Sequence, residues 1–455
     1  MPIFDRQQRT GLNQLEEAYQ QDKLSRRQFM QRATALGLSV SAASAFLAAC
    51  GGSSASNTVD LVTTWGGTEQ DSFRAVVAPF TQQHGIKVNI ESTRDLDTLL
   101  TTRIQANNPP DLAILPNPAK MQQLAGQNHL IALDKFLSSS SLQQDYAQSW
   151  ISLGSVNSNL YSIFYKAANK ATVWYSPQQF QSNNYQVPKT WDDLIALSGQ
   201  IAGSGKFPWA MGVSSGAASG WPATDWVAEI FINESGPDMY DKWITHKIPW
   251  TDASIKSAFQ KFGAIAGGQH YINGAPQSIL ATDDQTASYG PFNSPPTSYM
   301  YYLGDFTEGF ITAKFPSLQA GTGFSYFDFP TITASNQGAI TCGADLVAML
   351  KDTSSTRTLV NYLVTADAQA IWVKRGGFTS VNKSVALNDY PNKVAQNSAQ
   401  ALTGAPIVRY GAGDMMPPAL QTAWWKGMLT FIGDQSQLDG VLSNLESTAQ
   451  QAYQS

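Results

Sequence analysis

Gly212-Val213-Ser214-Ser215-Gly216 has the G-x-S-x-G form in which a strained turn lifts a serine above a strand end to attack an acyl group. That chemistry needs a helix directly after the serine and a histidine to take its proton. Here Gly, Ala and Ser continue to Gly220 with Pro222 beyond, and the only later histidines, His246 and His270, lie far from the end of the 455-residue chain. The loop is therefore not read as a nucleophile elbow. Glycoside hydrolysis needs two carboxyl groups flanking a sugar, and although 30 acids follow Cys50, no spacing singles out a pair. That alternative stays open. His84, His129, His246 and His270 have no spacing that would chelate a metal, so no metal or other cofactor is expected.

A third arrangement suits binding without turnover. A sugar ring offers an apolar C–H face and a belt of hydroxyls, and its complement is a flat aromatic beside Asp, Asn, Glu or Arg. The chain holds 12 tryptophans and 17 tyrosines, and Ala217-Ala218-Ser219-Gly220-Trp221-Pro222-Ala223-Thr224-Asp225-Trp226 sets that mixture in a Gly/Pro-containing loop. Trp221 and Trp226 are each as readily core residues as platforms. Trp65 stands at a strand end beside Gly66 and Gly67, which should leave it exposed.

The elements that must position these residues follow from periodicity. Val59–Trp65 is a strand, Thr68–His84 a helix with Phe73, Val76, Val77 and Phe80 on one face, Ile86–Ile90 a second strand, Leu96–Gln105 a helix and Asp111–Leu115 a third strand. This βαβαβ order predicts a parallel sheet wrapped by helices. The pattern restarts with a strand over Ala171–Tyr175, a helix over Trp191–Ile201 opened by Thr190 and a strand over Trp209–Val213, which predicts a second α/β lobe. Phe324–Pro330 and Ala344–Leu350 are strand-like, Thr356–Lys374 has helical periodicity, and Pro417 to about Tyr453 is helical and aromatic-rich. In open parallel sheets ligands sit beyond the C-terminal strand ends. Trp65 to Glu69 and Asn117-Pro118 fall there.

The first 49 residues differ from the rest. Ser25-Arg26-Arg27-Gln28-Phe29-Met30 precedes an Ala/Ser/Gly-rich run from Ala33 to Ala49, which resembles a twin-arginine export signal. The run is 17 residues long and carries Gly37, whereas a spanning helix needs about 20 apolar residues. Leu47-Ala48-Ala49-Cys50 resembles a bacterial lipobox, which makes Cys50 the lipidated first residue of the mature chain, followed by a flexible tether to Asn57. Only Cys342 then remains, so no internal disulfide is available. Beyond Cys50, 23 basic residues face 30 acidic ones, a balance that excludes nucleic acid as a partner.

Several segments together resemble a known family: Trp65-Gly66-Gly67-Thr68-Glu69-Gln70-Asp71-Ser72-Phe73-Arg74, Thr101–Asp111, Pro188-Lys189-Thr190-Trp191-Asp192-Asp193-Leu194, Ser215–Trp226 and Val373-Lys374-Arg375-Gly376-Gly377-Phe378. From about Val59 onward the chain is similar to the extracellular solute-binding proteins of bacterial carbohydrate ABC importers, with its closest likeness to α-glucoside binders. The resemblance implies a two-lobed α/β periplasmic-binding-protein fold of type II, a clamshell with a C-terminal helical segment. It divides the chain into a leader (1–49), a tether (50–57), lobe one (58–165 plus 331–375) and lobe two (166–330 plus 376–455). It implies a monomer that takes a neutral sugar such as maltose, trehalose or sucrose, hands it to a permease and its ATPase, and does no catalysis. A non-sugar solute is the alternative within the binding class. The cleft residues it implies are Trp65, Gly67, Thr68, Glu69, Asn117, Lys166, Trp221, Asp225, Tyr301, Gly343 and Asp345.

Overall fold

Alternation of short apolar runs with amphipathic stretches folds the chain around two sheets in a computed structural model that describes residues 57–268 and 270–454 together with Arg32. The export signal, Cys50 and nearly all of the tether lie outside the described residues. Thr58–Asp352 with Thr356–Ser455 form one compact body, and it carries all that follows.

The larger sheet begins as the sequence predicts. Strands β1 (Thr58–Thr63), β2 (Lys87–Ser92) and β3 (Leu112–Leu115) pair in parallel, β1 lying between the other two. They are connected by helices α1 (Gly67–His84) and α2 (Leu96–Gln105). Helix α1 buries Phe73, Val76, Val77 and Phe80, the face that the 3.6-residue period selects. It ends at Gly85, whose φ of 66° lets its N–H reach the Thr81 carbonyl. Asn117 stands at the N-terminal cap position of α3 (Pro118–Gly126), directly beyond the β3 end.

A short hairpin of β4 (Ser155–Val156) and β5 (Asn159–Leu160) leads into β6 (Ser162–Asn169), and the chain then enters the smaller sheet as β7 (Thr172–Tyr175). Helix α4 (Trp191–Gly203) opens with a reciprocal cap in which Thr190 Oγ1 accepts from the Asp193 N–H and the Asp193 carboxylate accepts from the Thr190 N–H. The smaller sheet is completed by β8 (Trp209–Ala210), β9 (Met300–Tyr302) and β10 (Ser325–Asp328) in the order β10-β7-β9-β8. Between β8 and β9 runs α5 (Trp221–Ser235), one of whose turns buries Trp226 against Trp209 and Tyr302. The loop carrying Ser214 makes only a 3-10 turn at Gly216–Ala218 before α5, not the helix that a nucleophile elbow requires.

Strand β11 (Ala339–Met349) returns to the larger sheet and joins its parts, antiparallel to both β3 and β6. Helices α6 (Ser354–Leu363) and α7 (Ala366–Val373) split the single helical stretch predicted over 356–374, with Thr365 capping the second. The edge strand β12 (Thr379–Ser380) pairs with β6. Strand β13 (Ile407–Tyr410) adds in parallel to the first residues of β11. The C-terminal part is helical, as expected: α8 (Ala412–Met415), α9 (Pro418–Gly433) and α10 (Leu438–Ala452). One core gathers Leu61, Phe73, Ile114, Leu346 and Trp372 against the larger sheet. Another gathers Trp226, Phe259, Trp243 and Trp424 around α5 and the C-terminal helices. Among the described residues no helix is long and apolar enough to cross a membrane.

Candidate functional site

Two buried lysines, one within β6 and one just past its end, organise a cavity of about 470 Å³. Lys166 lies on β6 opposite Asp345 of β11. The pairing skips Tyr165 at this point, a bulge that shifts the side-chain alternation along β6. The Lys166 ammonium is ion-paired with Glu69 in the first turn of α1 and lies 5.2 Å from the ring centres of Phe306 and Trp372. Asp345 accepts a hydrogen bond of 2.8 Å from Trp65 Nε1. Burial pushes its carboxyl up to about 6 against the opposing pull of Lys166.

Lys170 sits between β6 and β7, where the chain leaves one sheet for the other. Its ammonium is 2.9 Å from the Asp225 carboxylate on α5 and 3.6 Å from Asp414 on α8. Burial by itself would favour the neutral amine, but the two carboxylates outweigh it and hold the lysine charged, above its ordinary range. Burial pushes Asp414 up to about 6 and raises Asp225, with Lys170 opposing both. Gly343 has its reason here, because a Cβ at that position would lie 2.7 Å from Lys170 Cε.

The cavity wall collects residues from both sheets and the C-terminal helices. Of the positions expected from sequence, Trp65, Glu69, Asn117, Lys166, Trp221, Asp225, Gly343 and Asp345 line it. Gly67, Thr68 and Tyr301 do not. Gly67 occupies the first position of α1 with φ of 53°. The Tyr301 hydroxyl is spent on the Asp284 carbonyl at 2.7 Å, which places the tyrosine behind the wall. Asp284 itself does line the cavity, its carboxyl pushed up to about 6 by burial with Arg94 opposing. Trp65 corrects the expectation of an exposed ring. It is 2% exposed, because Phe73 and Trp372 meet it edge to face and Tyr165 closes a further side. Trp221 is half-buried with Lys170 5.7 Å from its ring centre, and its Nε1 has no hydrogen-bond partner.

Lys170, Asp284, Asp414 and Gln421 are wall residues that sequence reasoning missed. Asp414 had a local signal, since Gly411-Ala412-Gly413-Asp414 repeats the small-residue setting of the Trp65-Gly66-Gly67 loop. Gln421 had none. Seven carboxylates and four cations line the cavity, yet both buried lysines are already neutralised by acids. Among the described residues no group of His, Cys, Asp and Glu is arranged to hold a metal ion. The wall therefore offers an aromatic platform, unpaired polar atoms and closed ion pairs, which fits a polar, uncharged, partly apolar solute.

The sequence model of the family described as "Bacterial extracellular solute-binding protein" matches residues 66–370. The osmoprotective compounds-binding protein GgtB of Synechocystis sp. is 34% identical over 368 residues, covering 81% of this chain and 86% of that protein. The alpha-glucosides-binding periplasmic protein AglE of Rhizobium meliloti is 33% identical over 393 residues, covering 84% and 85%. Among solved structures, the bacterial solute receptor AcbH, reported to prefer β-D-galactopyranose, superposes with a TM-score of 0.77 at 18% identity, over 87% of this chain and 99% of that one. A chitin oligosaccharide binding protein gives 0.75 at 16% identity, over 88% and 99%. These structures share the two-lobed type II fold.

Proposed function

From the premise that this chain belongs to the bacterial extracellular solute-binding proteins that serve sugar ABC importers, and is not an enzyme, we propose that it captures a neutral α-glucoside and delivers it to the permease. The observation that carries this reading is the state of the buried cations. Lys166 is paired with Glu69, and Lys170 with Asp225 and Asp414, so neither is left to receive an anionic solute. A ligand carboxylate or phosphate at either lysine would have to displace a protein carboxylate at a large desolvation cost. Hydroxyls carry no such penalty. The relative named for α-glucosides supports the finer assignment.

The lobes, divided at 58–165 plus 331–375 and at 166–330 plus 376–455, are proposed to close as a monomer around the sugar, with tighter binding to the closed state driving closure. Trp221 is the proposed stacking platform. A thermal-shift screen of the protein lacking its leader should show a rise in melting temperature with maltose, trehalose or sucrose and no hydrolysis product. For whichever sugar gives that rise, Trp221→Ala should weaken calorimetric affinity by more than about 1 kcal/mol with unfolding unchanged. A flat response to every sugar would sink the glucoside reading, and undiminished affinity in the variant would take Trp221 out of the site. Export by the twin arginines and anchoring through a lipid on Cys50 complete the proposal. Cys50→Ser should move the protein from the membrane fraction to the medium, and continued membrane retention would refute the anchor.

A further inference from the structure

A chain of polar contacts runs along the cavity wall from Lys170 to Asn117. An ammonium can only donate hydrogen bonds and an ionised carboxylate can only accept them. Lys170 donates to Asp225 at 2.9 Å and is paired with Asp414 Oδ2 at 3.6 Å. Asp414 Oδ1 in turn accepts from Gln421 Nε2 at 2.9 Å. With its nitrogen committed there, the Gln421 amide must turn its oxygen the other way, and Oε1 accepts from Asn117 Nδ2 at 2.8 Å. Asn117 Nδ2 thus faces Gln421, and Oδ1 at the other end of the amide is buried and without a partner in a residue 5% exposed that lines the cavity.

We propose that Asp414 and Gln421 are positioning residues that fix which end of the Asn117 amide faces the ligand, so that the group bound at Asn117 must carry a proton to donate. This rests on the reading of the cavity as the solute site. Direction is transmitted because each amide can be satisfied in only one orientation: turning Gln421 over sets its oxygen against the Asp414 carboxylate, and turning Asn117 over sets its oxygen against Gln421 Oε1. A bare buried acceptor is unfavourable until a donor reaches it. A hydroxyl or amide N–H at that place relieves it, whereas an ether oxygen, a fluorine or a methylated hydroxyl leaves it unrelieved. Trp221 Nε1, also without a partner, asks for the opposite, an acceptor. Two unsatisfied atoms of opposite polarity thus define part of the ligand's hydrogen-bonding pattern.

A ligand-free mutant cycle tests the relay and is untouched if the sugar assignment fails. Asn117→Asp should lower the melting temperature, because the introduced carboxylate meets Gln421 Oε1 and any turn of Gln421 meets Asp414. Combining it with Asp414→Asn keeps the total charge and lets the new amide donate to a turned Gln421, so the double variant should melt above Asn117→Asp alone. In a Gln421→Met background that rescue should vanish. Additive losses, or a rescue of equal size without Gln421, would overturn the relay in favour of simple charge repulsion. Should the variants not fold, neutron diffraction from the deuterium-exchanged wild type decides the matter. One deuteron of the Asn117 nitrogen directed at Gln421 Oε1 is expected, and an amide turned over, with its oxygen against Gln421, would refute the proposal.

Discussion

Replacing Lys170 by methionine is expected to cost about 3–5 kcal/mol of folding stability at neutral pH, the cost of breaking a buried ion pair by removing one partner. Methionine fills similar space, so the loss is electrostatic: Asp225 and Asp414 keep their burial and lose the charge that offsets it. The pH dependence has a definite sign. Asp414 in the wild type already titrates at about 6, above the usual carboxyl range, because burial outweighs Lys170. A carboxyl with a raised folded pKa binds its proton more tightly in the folded state, so its contribution to stability grows as pH falls from about 6 toward the ordinary value and is lost as pH rises through about 6. Without Lys170 both carboxyls move further up. The deficit of Lys170→Met relative to wild type should therefore shrink on going from neutral pH to about pH 5, as read by urea unfolding at each pH. A deficit that is small at neutral pH, or that does not change with pH, would show that the acids are not held by this lysine.

Trp65→Ala should destabilise the fold by about 3–5 kcal/mol, the cost of emptying a large aromatic from a packed core. The ring is enclosed by Phe73, Tyr165 and Trp372, and its N–H holds Asp345. Two losses are combined in that figure, and Trp65→Phe separates them. Phenylalanine keeps most of the packing and leaves Asp345 without its donor, which should cost about 1–3 kcal/mol. Chemical unfolding of the two variants gives both values. If alanine cost less than about 1 kcal/mol, Trp65 would be a surface platform and not part of the core.

Local regularities of the chain were legible before the structure was. The Phe73, Val76, Val77 and Phe80 face of α1, the limits of α2 and the Thr190 cap of α4 each depend on residues within a turn or two of one another. The parallel order of the first three strands followed from helices standing between them. The loops around Trp65, Asn117 and Trp221 were placed at the cavity by their position beyond strand ends and by their mixture of aromatic and polar residues. Where partners are distant in the chain, that reasoning failed. Trp65 was expected to be exposed because its sequence neighbours are glycines, but the residues that bury it include Trp372, carried to it by a helix from the other end of the chain.

By itself, then, the sequence determined the first three strands and the helices between them, the alternation of strand and helix beyond them and the family to which the chain belongs. Hydrophobic period, capping and turn chemistry act over a few residues and are written in local order. Tertiary structure alone decided which charges neutralise each other and which polar atoms remain free for a ligand. Asn117, Lys170, Asp225 and the Asp414–Gln421 stretch are four separate segments, and β11, inserted between β3 and β6, helps bring those segments together. An ion pair or hydrogen bond requires contact within a few ångströms, a condition met by the packing of elements and not by spacing along the chain.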